Sequence, residues 1–274
     1  MNRRKRLLIL GNSGMLGHEM LKYFLGKEEY EVFTTSRNKE LSEKNGSIYF
    51  DALTTSLDCL PADVDYVINC IGIIKPYIKE HEKEAILINA YFPWKLAEWS
   101  KENGIRMIHI STDCVYSGRE GNYKESSPHD ALDMYGKTKS LGECESKAMI
   151  LRTSIIGEET SHFVSLLEWA KKEAGKRVQG YTNHIWNGLT TQEYAKCCEK
   201  IIHNDWYAEG VYHIYAKDDV TKYTMLHYFN DKFQLNLTIE SAAPFYCNRT
   251  LRSEKDLCRK LSIPSVEEMI MEMK

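Results

Sequence analysis

Short apolar runs alternate with helical patterns through the first half of the chain, and this alternation constrains the fold more than any other feature. Between the runs lie helical patterns with apolar residues every three to four positions, the longest over residues 79–103. Strands that alternate with helices form parallel βαβ units with right-handed crossovers. The sequence therefore predicts an α/β fold with a doubly wound parallel sheet. The predicted strands are residues 6–10, 31–35, 47–50, 64–70, 106–111 and 148–152.

A glycine-rich loop, GNSGMLG over residues 11–17, follows the first apolar run. Between a strand and a helix, such glycines permit a tight turn and let a pyrophosphate approach backbone N–H groups at the helix N-terminus. A glycine triplet alone is weak evidence, because turns and helix caps often contain glycine. Its place after the first strand of a βαβ series strengthens the prediction of a Rossmann-like dinucleotide site. The predicted cofactor contacts in the loop are Gly11, Ser13, Gly14, Met15, Leu16 and Gly17.

The end of the second strand bears on which nicotinamide cofactor binds. NAD-selective sites usually place an acidic residue there for the ribose 2′-hydroxyl, whereas an arginine accommodates a 2′-phosphate. Here the strand ends TTSR, so Ser36 and Arg37 stand where the acid would be. This favours NADPH and leaves NADH as the alternative, since Arg37 on a surface turn could equally be solvated.

Residues after the third and fourth strands are further cofactor candidates. Asp51 is placed to accept a hydrogen bond from the adenine amino group, and its alternative role is a helix N-cap. The segment Cys70, Ile71 and Gly72 would pass near the cofactor ribose, where Gly72 permits close approach. Asn89, in the long helical stretch, is also predicted to contact the cofactor.

The sequence YGKTK over residues 135–139 supplies a candidate acid. On a helix, Tyr135 and Lys139 are four residues apart and share one face. A neighbouring cation favours the phenolate of a tyrosine, whose reference pKa is about 10. A hydroxyl from Thr112 can hold a substrate oxygen against the phenol. A Tyr–Lys pair alone is often a solvated pair, but with the glycine loop and Thr112 the pattern predicts a proton donor for a carbonyl that is being reduced.

Composition argues against several other classes of protein. The net charge of −3 gives no reason to expect nucleic-acid or membrane binding. The basic start is followed by the short apolar run of residues 7–10, too short for a signal-peptide core or a membrane span. The eight cysteines are irregularly spaced and the nine histidines are scattered. We therefore predict reduced thiols in a cytoplasmic protein, and no metal site.

The second half of the chain is less regular. Its predicted strands are residues 211–215 and 237–239, and its predicted helices are residues 163–173, 190–203, 223–233 and 266–273. No low-complexity stretch or linker separates the halves. We expect residues 1–160 to form the cofactor-binding domain with the catalytic residues, and residues 161–274 to form a small C-terminal substrate-binding lobe interleaved with it, with the ligand cleft between them.

Five segments carry a resemblance to a known family. On these segments the chain resembles the extended short-chain dehydrogenases, specifically the dTDP-4-dehydrorhamnose reductase-like nucleotide-sugar reductases. The resemblance is dense to about residue 160 and sparser beyond it. The segments are GNSGMLG (residues 11–17), VINCIG (67–72), STDCVYSG (111–118), YGKTKSLGE (135–143) and LRTS (151–154).

The resemblance implies roles for the candidate catalytic residues. The Tyr135 position protonates the carbonyl oxygen, the Lys139 position lowers the tyrosine pKa and holds the nicotinamide ribose, and the Thr112 position orients the carbonyl. Nucleotide-sugar 4,6-dehydratases carry Thr-Asp-Glu where this chain has Thr112, Asp113 and Cys114. Dehydration therefore lacks its expected base.

Cys114 also resembles a cysteine of GDP-fucose synthase, which epimerises a 4-keto sugar before reducing it. His162 matches a histidine that lies near the start of a later helix in that enzyme. A cysteine and a histidine could exchange protons alpha to a ketone. The simpler interpretation, which we favour, is a packed strand cysteine and a polar residue at a helix start.

Candidate substrate contacts lie mostly in the second half. Arg249 and Arg252, in the segment NRTLRS, match a substrate-contacting stretch of the family, and guanidinium groups suit the oxygens of a diphosphate. Their alternative role is that of surface arginines at a helix start. Trp186 either stacks on the substrate or anchors the lobe. Asp113 is assigned to the substrate, and Lys75, which departs from the family pattern, is assigned to the sugar pocket without a role.

Together these features predict an NADPH-preferring reductase of a nucleotide-linked 4-keto-6-deoxy sugar, in the synthesis of surface polysaccharides. We expect no nucleic-acid or membrane partner, and a homodimer stays open. One alternative is a bifunctional 3,5-epimerase/4-reductase that uses Cys114 and His162. Another is a non-catalytic NAD(P)-binding regulatory subunit, similar to the β subunit of methionine adenosyltransferase. The intact Thr112, Tyr135 and Lys139 argue against that second alternative.

Overall fold

The chain divides into two compact units in a computed structural model that describes residues 3–161 and 163–274. The first unit comprises Met1–Ser111, Asp133–Leu151 and Ile201–Val211. The second comprises Thr112–Leu132, Arg152–Lys200 and Tyr212–Lys274. Each unit collects segments from both halves of the chain, and the domain boundary near residue 160 stays a prediction.

Strands occur throughout the chain and are longest in its first half. In chain order they are β1 (Lys5–Leu10), β2 (Tyr30–Ser36), β3 (Ile48–Tyr49), β4 (Tyr66–Asn69), β5 (Arg106–Thr112), β6 (Met149–Thr153), β7 (Ile155–Ile156), β8 (Arg177–Tyr181), β9 (His184–Trp186), β10 (Leu189–Thr190), β11 (Gly210–His213), β12 (Val220–Thr221), β13 (Thr238–Ala242) and β14 (Cys247–Asn248).

Helices connect these strands. They are α1 (Met15–Leu25), α2 (Lys39–Asn45), α3 (Glu82–Ala85), α4 (Phe92–Glu102), α5 (Met134–Leu141), α6 (Leu166–Lys172), α7 (Thr191–His203), α8 (Lys222–Phe233), α9 (Leu257–Leu261) and α10 (Val266–Met271). In the described part of the chain, no helix has both the length and the apolar character needed to cross a bilayer.

A seven-stranded sheet organises the first unit, with the strand order β11-β6-β5-β4-β1-β2-β3. β1 pairs in parallel with β2 and β4, and the pairs β2–β3 and β4–β5 are parallel too. Leu7, Leu8, Ile9 and Leu10 on β1 are fully buried, as is typical of a central parallel strand that is covered on both faces. The predicted α/β fold with a Rossmann-like doubly wound sheet is confirmed, and β1 to β6 match the six predicted strands.

The long helical stretch predicted over residues 79–103 is confirmed from residue 82 to residue 102, but it is not a uniform α-helix. A 3₁₀ segment (Lys75–Glu80) precedes α3, and α3 continues into α4 through a π-helical turn (Ile86–Tyr91). Pro93 supplies the physical reason, because it has no N–H to donate to the Asn89 carbonyl four residues earlier. That carbonyl faces the end of α5, where a Cβ on Gly142 would lie 1.9 Å from the oxygen. The widened turn therefore packs closely against α5.

The second unit contains short ladders rather than one large sheet. β12 and β14 flank β9, with β12 antiparallel and β14 parallel to it. β13 pairs in parallel with β8, and β10 pairs in parallel with β7. The strands near residues 211 and 237 and all four helices predicted for the second half are present with shifted ends. The prediction missed α2, α9 and the strands β7, β8, β9, β10, β12 and β14.

Candidate active site

The glycine loop between β1 and α1 has the backbone that a pyrophosphate requires. Gly11 has a φ of +83°, which favours glycine. A Cβ on Gly17 would lie 2.1 Å from the Gly11 oxygen, so the first turn of α1 packs directly on the loop. Gly14 has more room, since its Cβ would meet only that same oxygen at 3.6 Å.

The N-terminus of α1 is suited to an anion. Its cap residue is Gly14, which makes no side-chain capping bond, and its first turn contains no acidic residue. The loop is held to β2 by hydrogen bonds from Asn12 N to Thr35 O and from Gly11 N to Thr35 Oγ1, both 3.1 Å long. Uncapped N–H groups and the helix dipole favour a negatively charged ligand. The loop therefore fits the pyrophosphate of a dinucleotide, and the contacts from Ser13, Met15 and Leu16 stay predictions.

The end of β2 carries no carboxylate for a ribose 2′-hydroxyl. Ser36 is buried, and its Oγ accepts a 3.2 Å hydrogen bond from Asn38 N, whereas Arg37 is exposed. Asp51 caps a turn rather than a helix, because its Oδ1 accepts a 2.8 Å hydrogen bond from Leu53 N. The exposed Arg37 agrees with a 2′-phosphate, so this edge of the sheet is compatible with NADPH.

The segment after β4 is shaped by two buried asparagines. Asn69 Oδ1 accepts a 3.1 Å hydrogen bond from Ile71 N. Asn89 accepts from Ile73 N and donates to Ile73 O, each at 2.8 Å, and its Nδ2 lies 3.3 Å from Thr138 Oγ1 on α5. The Asn89 amide therefore ties the backbone just beyond Gly72 to α5, while its predicted cofactor contact stays a prediction.

The predicted acid and its lysine lie on α5. Asp133 caps this helix, because its Oδ1 accepts a 2.9 Å hydrogen bond from Gly136 N. Tyr135 is half-buried, whereas Lys139 is 4% exposed and donates a 2.8 Å hydrogen bond to the Ile110 carbonyl. Burial lowers the pKa of the Lys139 ammonium to about 8, against the opposing effect of Glu143.

Two uncharged groups surround the Lys139 ammonium. His109, which the sequence prediction missed, places Nε2 3.4 Å from Lys139 Nζ and Nδ1 3.1 Å from Asn69 Nδ2. Burial and the charge of Lys139 hold the pKa of His109 well below its usual value, so its imidazole is neutral. Burial raises the pKa of the nearby Cys70 thiol to about 12, so it stays protonated. A histidine inside the buried apolar run MIHIST is the sequence signal that could have identified His109.

Lys75 makes a surface contact with the helix of Tyr135. Its Nζ lies 2.6 Å from Oδ2 of Asp133, the cap of α5, and both side chains are substantially exposed. This ion pair is a local contact at the start of the helix, and the assignment of Lys75 to a sugar pocket stays a prediction.

In the second unit, Thr112 and Asp113 form a buried polar pair. Thr112 Oγ1 accepts a 3.1 Å hydrogen bond from Cys114 N and lies 3.2 Å from Asp113 Oδ1. Burial raises the pKa of the Asp113 carboxyl, while Arg249, the Cys114 thiol and Lys222 oppose that shift. Lys222 was not among the predicted site residues. His162, the other candidate of the epimerase alternative, lies outside the described residues.

The remaining predicted substrate residues are held by partners within the second unit. Arg249 donates to the carbonyls of Tyr116 at 2.9 Å and Ser117 at 3.2 Å. Arg252 forms a two-pronged ion pair with Asp219, at 3.0 and 2.6 Å. Trp186 is buried on β9. These partners account for much of the hydrogen-bonding capacity of Arg249 and Arg252. The substrate contacts of both arginines and of Trp186 stay predictions.

Comparison with known proteins gives the same fold and family. A dTDP-4-dehydrorhamnose reductase of Aggregatibacter actinomycetemcomitans is 30% identical over 229 residues, which cover 80% of this chain and 76% of that protein. Methionine adenosyltransferase 2 subunit beta of Danio rerio is 27% identical over 255 residues, which cover 84% and 75%. The crystal structure of a Bacillus anthracis dTDP-4-dehydrorhamnose reductase in complex with NADP has the same fold, with a TM-score of 0.76 and 20% identity over 98% of each chain.

The family model described as the RmlD substrate binding domain matches residues 5–246. This range contains all five segments on which the resemblance was based, from the glycine loop to the strand that ends in LRTS. Because the match spans most of the chain, and because the first relative is 30% identical over 80% of it, the chain belongs to the RmlD substrate binding domain family.

Proposed function

We propose that this chain reduces the 4-keto group of a nucleotide-linked 4-keto-6-deoxy sugar, with NADPH preferred over NADH. The observation that carries the proposal is Lys139, an ammonium buried four residues after Tyr135 and fixed to the Ile110 carbonyl. Burying a lysine ammonium costs free energy. A role in stabilising the phenolate of the half-buried Tyr135 on the same helix would account for this buried charge. The names of the reductase relatives supply the substrate class, a dTDP-linked sugar.

The chemistry follows from the residues in their proposed roles. When bound, the nicotinamide supplies the hydride that attacks the carbonyl carbon. Tyr135 donates its phenolic proton to the carbonyl oxygen, and the Lys139 ammonium stabilises the phenolate that remains. The Thr112 hydroxyl orients the carbonyl. The glycine loop and the N-terminus of α1 hold the pyrophosphate, and Arg37 accommodates a 2′-phosphate.

The test is turnover with a panel of dTDP-, UDP-, GDP- and CDP-linked 4-keto-6-deoxy sugars, with NADPH or NADH as reductant. Loss of the reduced cofactor and the product mass are followed in deuterated water. We expect Tyr135→Phe and Lys139→Met to lower turnover by about 10²- to 10⁴-fold, the range typical of a positioned acid. Lys137→Met removes an exposed lysine of the same helix and is the matched control. Unchanged turnover in Tyr135→Phe would refute its role as the acid.

The same experiment separates two other functions. The relative named methionine adenosyltransferase 2 subunit beta supports a non-catalytic regulatory role, for which NADPH would bind without being oxidised by any sugar of the panel. Deuterium in the product ring would instead support the epimerase/reductase, and Cys114→Ser should then abolish the exchange while reduction continues.

We also propose a homodimer in the cytoplasm. Exposed apolar side chains support the dimer: Tyr91 on the π-helical turn is 61% exposed and Leu141 on α5 is 66% exposed. Their burial against a second copy would be favourable. All eight cysteines are free thiols, which supports a reducing compartment. Light scattering of the chain and of Tyr91→Glu/Leu141→Glu tests the dimer, since charges on this surface should leave a monomer.

A further inference from the structure

In the three-stranded ladder of the second unit, formed by β12, β9 and β14, polar and aromatic side chains share one face. Paired residues of neighbouring strands share a face, and so do residues two apart along a strand. His184 pairs with Cys247, and Trp186, two residues after His184, pairs with Val220. Arg249 follows Cys247 by two residues. These side chains therefore belong to one face, which we call the β9 face.

Lys222, the first residue of α8, reaches over the β9 face. Its Nζ lies 5.5 Å from the ring centroid of Trp186. The charged or polarisable groups that act on it are Asp113, Cys114, Cys247 and Arg249. The backbone of Gly118 closes one side of the group, because a Cβ there would lie 2.9 Å from Cys247 Sγ. The cluster thus combines two cations, Lys222 and Arg249, with the Asp113 carboxyl.

Lys222 is half-buried, and its ammonium has no hydrogen-bond acceptor among the described residues. Within residues 3–161 and 163–274 it forms neither a hydrogen bond nor a salt bridge, whereas Arg249 is held by the carbonyls of Tyr116 and Ser117. A partly desolvated cation without an acceptor is unfavourable in the free protein. An anionic group of a ligand would supply the missing acceptor.

His184 provides a second, independent signal on the same face. Its Nε2 is buried and has no hydrogen-bond partner among the described residues. The ring packs edge-on against Tyr181 at 4.8 Å and Phe245 at 4.4 Å, and it donates to the Phe245 backbone. Burial lowers the pKa of His184, so the ring is neutral and Nε2 is a free acceptor. A hydroxyl group is the donor that would satisfy it.

We propose that the β9 face is a subsite for the sugar end of the substrate, in which Lys222 binds the phosphoryl group attached to the sugar and His184 accepts a hydrogen bond from a sugar hydroxyl. The inference rests on the proposed nucleotide-sugar reductase function. Lys222 was not predicted from the sequence, whereas His184 belongs to the segment 181–188, which the family resemblance places beside the sugar and the nucleotide. The subsite follows Thr112 directly in the chain through Asp113, so it recognises the substrate next to the residue proposed to orient its carbonyl.

Binding measurements test the role of Lys222 without any turnover. Calorimetric titrations use dTDP, dTMP and inorganic pyrophosphate as probes, since dTDP carries the phosphoryl group that dTMP lacks. A charged hydrogen bond to that group predicts that Lys222→Met weakens dTDP binding about 10- to 100-fold. Binding of dTMP and NADPH should stay unchanged. Lys232→Met removes a lysine near the other end of α8 and should leave all affinities unchanged.

Each outcome decides a separate point. Equal losses for dTDP and dTMP, equal losses in Lys232→Met, or no loss in Lys222→Met would overturn the subsite, as would a wild-type chain that binds neither dTDP nor pyrophosphate. If pyrophosphate shows the Lys222 effect but dTDP does not bind, the nucleotide of the proposed function is wrong and the subsite holds. If binding behaves as expected but no ketone is reduced, the reductase proposal fails alone.

A second variant tests His184. His184→Phe keeps an aromatic ring against Tyr181 and Phe245 and removes the acceptor nitrogen. We expect weaker binding of dTDP-glucose, about 10-fold for one lost hydrogen bond, with dTDP binding unchanged because dTDP has no sugar hydroxyls on that side. Equal effects on both ligands, or no effect on either, would refute the role of His184.

Discussion

Lys139 lies between the Ile110 carbonyl, 2.8 Å from its Nζ, and the neutral imidazole of His109, 3.4 Å from it. A lysine this deeply buried usually pairs with a carboxylate that compensates its charge. Here the Glu143 carboxylate acts on Lys139, but its Oε1 accepts a hydrogen bond from Ser111 Oγ. The charge of Lys139 is therefore only partly compensated, which explains why burial dominates its pKa.

The first prediction concerns pH. Because the pKa of Lys139 is about 8 in the folded chain and 10.5 as its reference value, the unfolded chain holds this proton more tightly. At pH 7 the buried ammonium therefore lowers the free energy of unfolding by at most about 3 kcal/mol. This destabilisation disappears as pH rises from about 8 to 10.5, so the folded chain becomes more stable over that range. Lys139→Met should thus be more stable than wild type at neutral pH, although its turnover is expected to be about 10²- to 10⁴-fold lower.

Urea denaturation at pH 7 and at pH 9.5 measures this effect. The stability advantage of Lys139→Met should shrink at the higher pH. Turnover by the wild type should fall as pH rises past about 8, because the ammonium proposed to stabilise the phenolate is lost. A stability difference that does not change with pH would contradict the buried-charge explanation.

The buried His109 should make the folded chain less stable in acid. Burial holds the pKa of His109 below its reference value of 6.5, so below pH 6.5 the unfolded chain takes up a proton that the folded chain does not. This residue therefore lowers stability as pH falls, by at most about 1.4 kcal/mol per pH unit. His109→Leu should flatten the stability profile between pH 6.5 and 5. Met107→Leu changes another buried residue of β5 and should keep the wild-type slope.

The third prediction uses two glycines with nearly identical backbones. Gly142 ends α5 with φ −85° and ψ 0°, and Gly26 ends α1 with φ −79° and ψ 3°. A Cβ on Gly142 would lie 1.9 Å from the Asn89 oxygen, whereas the atom nearest a Cβ on Gly26 is 3.9 Å away. We expect Gly142→Ala to destabilise the chain by about 1–3 kcal/mol and Gly26→Ala to be neutral or slightly stabilising. Thermal melts compare the two, and similar effects would exclude close packing as the cause.

Local pattern was enough to predict the sheet and the central motifs. The strands from β1 to β6 are short apolar runs separated by helical patterns, and the glycine loop from Gly11 to Gly17 directly follows the first of them. Tyr135 and Lys139 are four residues apart, so a helix alone places them together. Each of these features depends on neighbours in sequence, which is why the sequence was informative.

The features that were missed depend on residues far apart in the chain. Lys222 acts on the β9 face only because β12 pairs with β9, and two-residue ladders leave no periodic pattern. The partners of Arg252 and Arg249, such as Asp219, lie more than 30 residues away. The π-helical turn was also missed, although its physical cause, Pro93, is visible within the helical pattern. Tertiary pairing decided these positions, and one sequence does not reveal it.

The last prediction concerns Arg152, the arginine of the LRTS segment. It is 1% exposed, and its guanidinium contacts Tyr116 Oη, His213 Nε2 at 2.7 Å and His129 Nε2 at 2.9 Å. His213 Nδ1 lies 2.7 Å from the Arg252 carbonyl, so this nitrogen is the donor and Nε2 accepts from Arg152. The guanidinium of Arg152 thus joins its own segment of the second unit to two others, Thr112–Leu132 and Tyr212–Lys274.

Arg152→Lys keeps the charge but cannot reproduce the planar set of donors, so acceptors remain buried without partners. We expect a loss of about 3 kcal/mol in the free energy of unfolding, as for a broken network of buried hydrogen bonds. Arg259→Lys makes the same change at a site 80% exposed, where the ion pair with Asp256 contributes little, and should cost less than about 0.5 kcal/mol. Urea denaturation compares the two variants. Equal, small losses would mean that the buried contacts of Arg152 do not stabilise the second unit.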